Sequence, residues 1–173
     1  KRRRVLKIAF VTGGGDCAGI NSAISRSILH GANKYNDTFV GVKKAFEGLA
    51  ADNIEDYLVD LTPTDALDIF DEPSTILGSS RFAPFKEENK SWAADKMLAN
   101  LKKIGVDGII ATGGNDTVAS AMGMHDINFP TIAIPKSIDN DISGTDWMLG
   151  AHTAIDFATQ AFKSTSISAD THA

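Results

Sequence analysis

The run Pro135-Lys136-Ser137-Ile138-Asp139-Asn140-Asp141 gathers a cation, a hydroxyl and two carboxylates into one short segment. Such a set suits phosphoryl transfer. One carboxylate can take a proton from an attacking hydroxyl while the ammonium neutralises phosphate charge. If the segment is extended, Asp139 and Asp141 share one side, because side chains alternate with a period of two. The same residues would also suit a solvated polar turn, so their weight depends on where the rest of the chain puts them.

The elements that must position them come from apolar runs. Thr131-Ile132-Ala133-Ile134 is β-branched and reads as a buried strand that Pro135 closes. Ile8-Ala9-Phe10-Val11 is another strand. It runs into Thr12-Gly13-Gly14-Gly15-Asp16-Cys17-Ala18-Gly19 and then a helix with Ile20, Ala23, Ile24 and Ile28 on one face. Gly14 and Gly15 let backbone N–H groups approach a phosphate, and the helix start adds partial positive charge. No Gly-Lys-Ser/Thr follows, and the glycine spacing is not that of a dinucleotide fingerprint. A second turn of this kind follows the strand Gly108–Thr112: Gly113-Gly114-Asn115-Asp116-Thr117, then a helix near 117–125.

Other segments are read more simply. Thr38–Val42 is a strand, followed by a loop at 46–49; Asp56–Leu61 is a strand, and Pro63 opens a short helix. Gly78-Ser79-Ser80-Arg81 is a flexible turn ending in a side chain suited to bidentate phosphate contact. Trp92, Ala94, Met97, Leu98, Leu101 and Ile104 form a helical core stripe capped by Gly105. A long helix is expected from about Asp146, with Ala151, Ile155, Ala158 and Phe162 on its apolar face and the pattern lost from Ser164 to Ala173.

Strands alternate with helices, which predicts an α/β domain: a doubly wound, mainly parallel sheet with helices on both faces. Ligands of such sheets sit outside the strands' carboxyl ends, where all the candidate groups fall. The 173 residues, 43% hydrophobic and 23% charged, can bury a core for one domain or for one domain and a piece of another. A net charge of −5 argues against nucleic acid or a membrane surface as partner. The only basic cluster, Lys1–Arg4, reads as a solvated lead-in; no apolar signal region follows it and no run nears the ~20 residues of a membrane span. Cys17 is the only cysteine, which excludes an internal disulfide and suits a reducing cytoplasm. His125, His152 and His172 lack metal-ligand spacing.

Four stretches, TGGGDCAGIN at 12–21, ILGSSRF at 76–82, GVDGIIATGGNDT at 105–117 and PKSIDNDISGTD at 135–146, resemble the phosphofructokinase family in order and spacing. The resemblance implies two similar α/β domains with the active site between them. Residues 1–173 would be the first part, the phosphoryl-donor side, inactive by itself. It implies transfer to fructose 6-phosphate, with Asp139 as base on the sugar 1-hydroxyl, Asp141 as second loop carboxylate, and Ser137 and Ile138 on the substrate side. Gly14, Gly15, Arg81, Gly114 and Thr117 would meet the donor. Asp116 stands where ATP users carry glycine and Lys136 where many of them do, so the chain resembles the pyrophosphate-dependent branch. A homo-oligomer is implied for the full-length protein.

A carboxylate ~4 Å from a nucleotide's α-phosphate would repel it by ~4 kcal/mol at an effective dielectric of about 20, and by only ~1 in water. The first figure disfavours ATP nearly a thousandfold. Pyrophosphate has no third phosphate there, and Lys136 can offset its charge. Asn115 occupies the place of a family carboxylate that coordinates Mg²⁺; an amide oxygen should hold the ion less well. Ala18 for a usual proline and Phe46 for a common tyrosine are milder departures. Asn115 leaves room for two other readings: a lapsed enzyme serving as a phosphate-binding or regulatory subunit, or an ATP-dependent 6-phosphofructokinase.

Overall fold

A computed structural model describes residues 3–171. At its centre is β1 (Lys7–Gly13), whose side chains are buried on both faces. Ala9 and Val11 face one cluster with Val40, Val42, Met97, Leu101 and Ile109. Phe10 faces another with Ile20, Ile24, Ile28 and Phe39. A strand covered on both sides needs a continuous apolar run, which is why it lacks polar alternation.

Around β1 the sheet has the order β3-β2-β1-β4-β5, with β2 (Thr38–Val42), β3 (Leu58–Leu61), β4 (Gly108–Gly113) and β5 (Thr131–Pro135). β1 pairs in parallel with both β2 and β4, β4 pairs in parallel with β5, and only β3 runs antiparallel, against β2. The helices are α1 (Ile20–Tyr35), α2 (Ala45–Leu49), α3 (Pro63–Asp68), α4 (Lys90–Lys103), α5 (Asn115–Asp126) and α6 (Ala151–Thr171). α1 packs with the Phe10 cluster, whereas α2, α4 and α5 pack with the Val11 cluster. The expected doubly wound sheet with helices on both faces is therefore present. The chain leaves β1 toward one face and β4 toward the other, which opens a crevice between their carboxyl ends.

Several expectations need correction. Residues 45–49 form α2 rather than a loop, and a 3₁₀ turn at Ile54–Tyr57 replaces the first two residues of the strand expected at 56–61. β5 is an edge strand rather than a buried one: Ile132 is 64% exposed. α6 starts at Ala151, not near Asp146, and runs on through Ser164 as far as Thr171. Ala151 is buried, but Ile155, Ala158 and Phe162 are exposed because no described element packs over them. Trp92 is also outside the core, tilted against Phe82 beside an acidic surface cavity, while Met97 and Leu101 of the same stripe are buried. Of the basic lead-in, Arg3 pairs with buried Asp37 at 2.9 Å and Arg4 with Asp107 at 2.7 Å, next to the starts of β2 and β4, while Lys1 and Arg2 lie outside the described residues. Among the described residues, no helix is long and apolar enough to cross a membrane.

One buried side chain links the fold to the Arg81 loop. Asn21, on the first turn of α1, donates to the carbonyls of Glu72 and Pro73 and accepts from the Ile76 N–H at 2.9 Å. Its own N–H reaches Ser74, and the Thr12 hydroxyl holds the Gly78 carbonyl at 2.7 Å. Asn21→Ala should destabilise the protein by about 1–3 kcal/mol, since it strands partly buried backbone groups. Urea unfolding checks this, and an unchanged midpoint would show that water replaces the amide at no cost.

Candidate active site

Three turns at the carboxyl edge of the sheet enclose a cleft of about 340 Å³. After β1 come Gly15, Asp16 and Cys17; after β4, Gly114 and Asn115; after β5, Lys136, Ser137, Ile138, Asp139 and Asp141. The cleft thus lies where strand order reverses, and α5 starts at its wall with Asn115. The first amides of a helix lack intrahelical acceptors and carry partial positive charge, which favours an anion there.

Lys136 is 4% exposed and its ammonium donates to the Gly15 carbonyl, so it braces the β5 loop against the glycine turn. No ion pair to a carboxylate is formed by this ammonium among the described residues. A buried cation with only a neutral partner leaves positive potential directed at the cleft.

The acidic loop is not extended. Bends at Ile138 and Asp139 and a left-handed Asn140, φ 53°, interrupt it. The Ser137 hydroxyl donates to Asp141 Oδ1 and accepts from the Asp139 N–H, each at 3.0 Å. Asp139 and Asp141 still meet in one cleft, but through this serine turn and not through strand alternation.

Of the residues expected from sequence, Gly15, Gly114, Asn115, Lys136, Ser137, Ile138, Asp139 and Asp141 come together. Gly14 and Thr117 lie outside that lining. The Gly14 N–H is committed to the Ser80 carbonyl at 3.3 Å. Thr117 is buried with its hydroxyl against Gly13 and Gly113, where any Cβ on either glycine would collide with it. Arg81 is exposed on the tethered 78–81 loop. Asp116 is also outside, its side chain 64% exposed and paired with Lys86 at 3.6 Å. Sequence reasoning passed over Asp16 and Cys17 as wall residues, although both sit within the glycine turn that forms the wall. Burial pushes the Cys17 thiol above its ordinary pKa, with Lys136 pulling the other way less strongly, so the thiol is held protonated.

The sequence model described as "Phosphofructokinase" matches residues 7–173. The chain belongs to the phosphofructokinase family. It is 38% identical over 168 residues to the pyrophosphate–fructose 6-phosphate 1-phosphotransferase of Dictyoglomus thermophilum, covering 97% of this chain and 46% of that protein. It is 35% identical over 168 residues to the ATP-dependent 6-phosphofructokinase of Corynebacterium efficiens, covering 96% and 46%. The chain thus spans about half the length of the curated relatives it matches. Its fold matches the phosphofructokinase of Saccharomyces cerevisiae with a TM-score of 0.82 at 23% identity, over 96% of this chain and 25% of that one. It also matches the pyrophosphate-dependent phosphofructokinase of Nitrosospira multiformis with a TM-score of 0.72 at 18% identity, over 94% and 43%.

For this phosphofructokinase cleft, the buried ammonium gives a direct test. Lys136→Met should weaken binding of an inorganic phosphate anion in this cleft by about ten- to a hundredfold, the equivalent of one charge-assisted bond. Isothermal calorimetry measures it, and equal affinities would show that the ammonium only braces the turn.

Proposed function

We propose that this chain supplies the phosphoryl-donor side of an enzyme that transfers phosphate from pyrophosphate to the 1-hydroxyl of fructose 6-phosphate, reversibly. The observation that carries the reading is the buried Lys136 ammonium facing a cleft that also holds Asp139, Asp141 and the start of α5. The family and the names of its relatives support the reaction class. Assembly as a homo-oligomer is proposed on the family resemblance alone.

In this scheme Asp139 takes the proton of the 1-hydroxyl as its oxygen attacks the terminal phosphorus of pyrophosphate. The bridging P–O bond breaks and orthophosphate leaves with the bond's electrons. Lys136 and the α5 amides balance charge on the phosphate oxygens. Asp141, held by Ser137, keeps its second oxygen for the reacting groups.

Asn115, Asp139 and Asp141 offer oxygen donors on one cleft, and these fit Mg²⁺. Among the described residues no three acidic, histidine or cysteine side chains converge closely enough to hold an ion alone. That suits a strongly hydrated ion that arrives with a phosphate and needs only one or two carboxylates. When bound, it would supply further neutralisation of phosphate charge.

Donor choice rests on Asp116 and Lys136. Asp116 is largely exposed and paired with Lys86, so its field is screened toward the aqueous limit. Its repulsion of a nucleotide is then about 1 kcal/mol, a several-fold bias and not the near-thousandfold of a buried carboxylate.

Three outcomes are expected of the full-length protein. Steady-state assays should favour pyrophosphate over ATP, with Asp116→Gly narrowing the ratio less than tenfold; a native preference for ATP would sink the donor assignment. Asp139→Asn should lower kcat by roughly 10²–10⁴ with the fold intact, as for the loss of a positioned base; retained turnover would reduce Asp139 to a turn residue. Asn115→Asp should lower the Mg²⁺ concentration for half-maximal rate, and identical titration curves would remove residue 115 from the metal's surroundings.

A further inference from the structure

We propose that Asn140 is a positioning residue whose side-chain amide clamps the loop carrying Asp139 and Asp141. The loop is closed at its neck by two backbone bonds, Leu149 N–H to the Pro135 carbonyl and Ser137 N–H to the Leu149 carbonyl, both 3.1 Å. Beyond that neck the chain is exposed on both sides of Asn140, apart from half-buried Ile142, until Met148, which is 3% exposed. Asn140 spans this gap. Its Nδ2 donates to the Asp146 carbonyl at 3.1 Å and its Oδ1 accepts the Met148 N–H at 2.9 Å.

Both ends of the amide are therefore used, and one bond reaches the backbone of a buried residue. Residue 140 is also the link between the two carboxylates, so fixing it fixes the direction in which both leave the backbone. Ser137 ties the same pair from the other side. Two side chains thus replace the regular structure that this stretch lacks.

Residue choice follows from the geometry. The left-handed φ of 53° is tolerated by glycine and asparagine. Of these, only asparagine brings a donor and an acceptor on one short side chain. Glycine would keep the backbone conformation and lose the clamp, which separates the two roles.

The kinetic consequence rests on the phosphotransferase reading; the structural one does not. In full-length protein, Asn140→Gly should lower kcat about 10²-fold, the scale of a misplaced reacting group. KM for pyrophosphate should stay within a few-fold, since the glycine turns and Lys136 are untouched. Peptide-resolved amide exchange should quicken at 146–149 and nowhere else, while Asn140→Asp, which keeps the acceptor, should leave Met148 slow. A glycine variant with native kcat and native exchange overturns the clamp, and so does one whose circular dichroism shows global unfolding. If the unmodified protein transfers no phosphate, the functional reading fails, and exchange alone then decides the clamp: quickening at 146–149 supports it and unchanged protection overturns it.

Discussion

The contact on which the cleft depends is the Lys136 ammonium against the Gly15 carbonyl. It joins the loop after β5 to the turn after β1 across the intervening strand β4. An ammonium is costly to bury without hydrogen bonds, so the glycine turn must present its carbonyl inward and the β5 loop must follow. Packing reinforces the junction. Leu149 sits over Gly19, and Gly150 passes Cys17 so closely that a Cβ there would stand 2.5 Å from the thiol. These contacts leave little room for the two loops to move independently.

Charge is distributed unevenly around that junction. Asp16, Asp139 and Asp141 line the cleft against a single ammonium and the start of one helix. On the proposed function, a pyrophosphate entering this field would meet more negative than positive charge unless a cation accompanied it. An aspartate at 115 would add another carboxylate on the same wall, whereas Asn115 keeps an oxygen there without the charge. On the proposed function, this departure would weaken metal binding and lower donor repulsion together.

Asp116 illustrates how a motif and its strength separate. Its position at the first turn of α5 suits the helix dipole as well as donor discrimination. Exposure and the Lys86 ammonium reduce its reach. Thr117, one residue on, does its work by packing: it fills the space that Gly13 and Gly113 leave between β1 and β4 and keeps the two glycine turns adjacent.

What the sequence alone determined is the architecture, the family and the residue types that stand at the strand ends. Apolar runs ending in glycine or proline marked β1, β4 and β5, and the turns after them held the cation, the carboxylates and Asn115, because strand ends and glycine turns are local signals. Tertiary structure decided the rest. Asp139 and Asp141 converge through Ser137 and Asn140, partners that alternation does not foresee. Arg3 and Arg4 are engaged because Asp37 and Asp107, distant in sequence, stand beside them. Ile132, Ile155 and Phe162 carry the pattern of buried residues yet stay exposed. Periodicity records which face is apolar, and only the arrangement of neighbouring elements determines whether anything covers it.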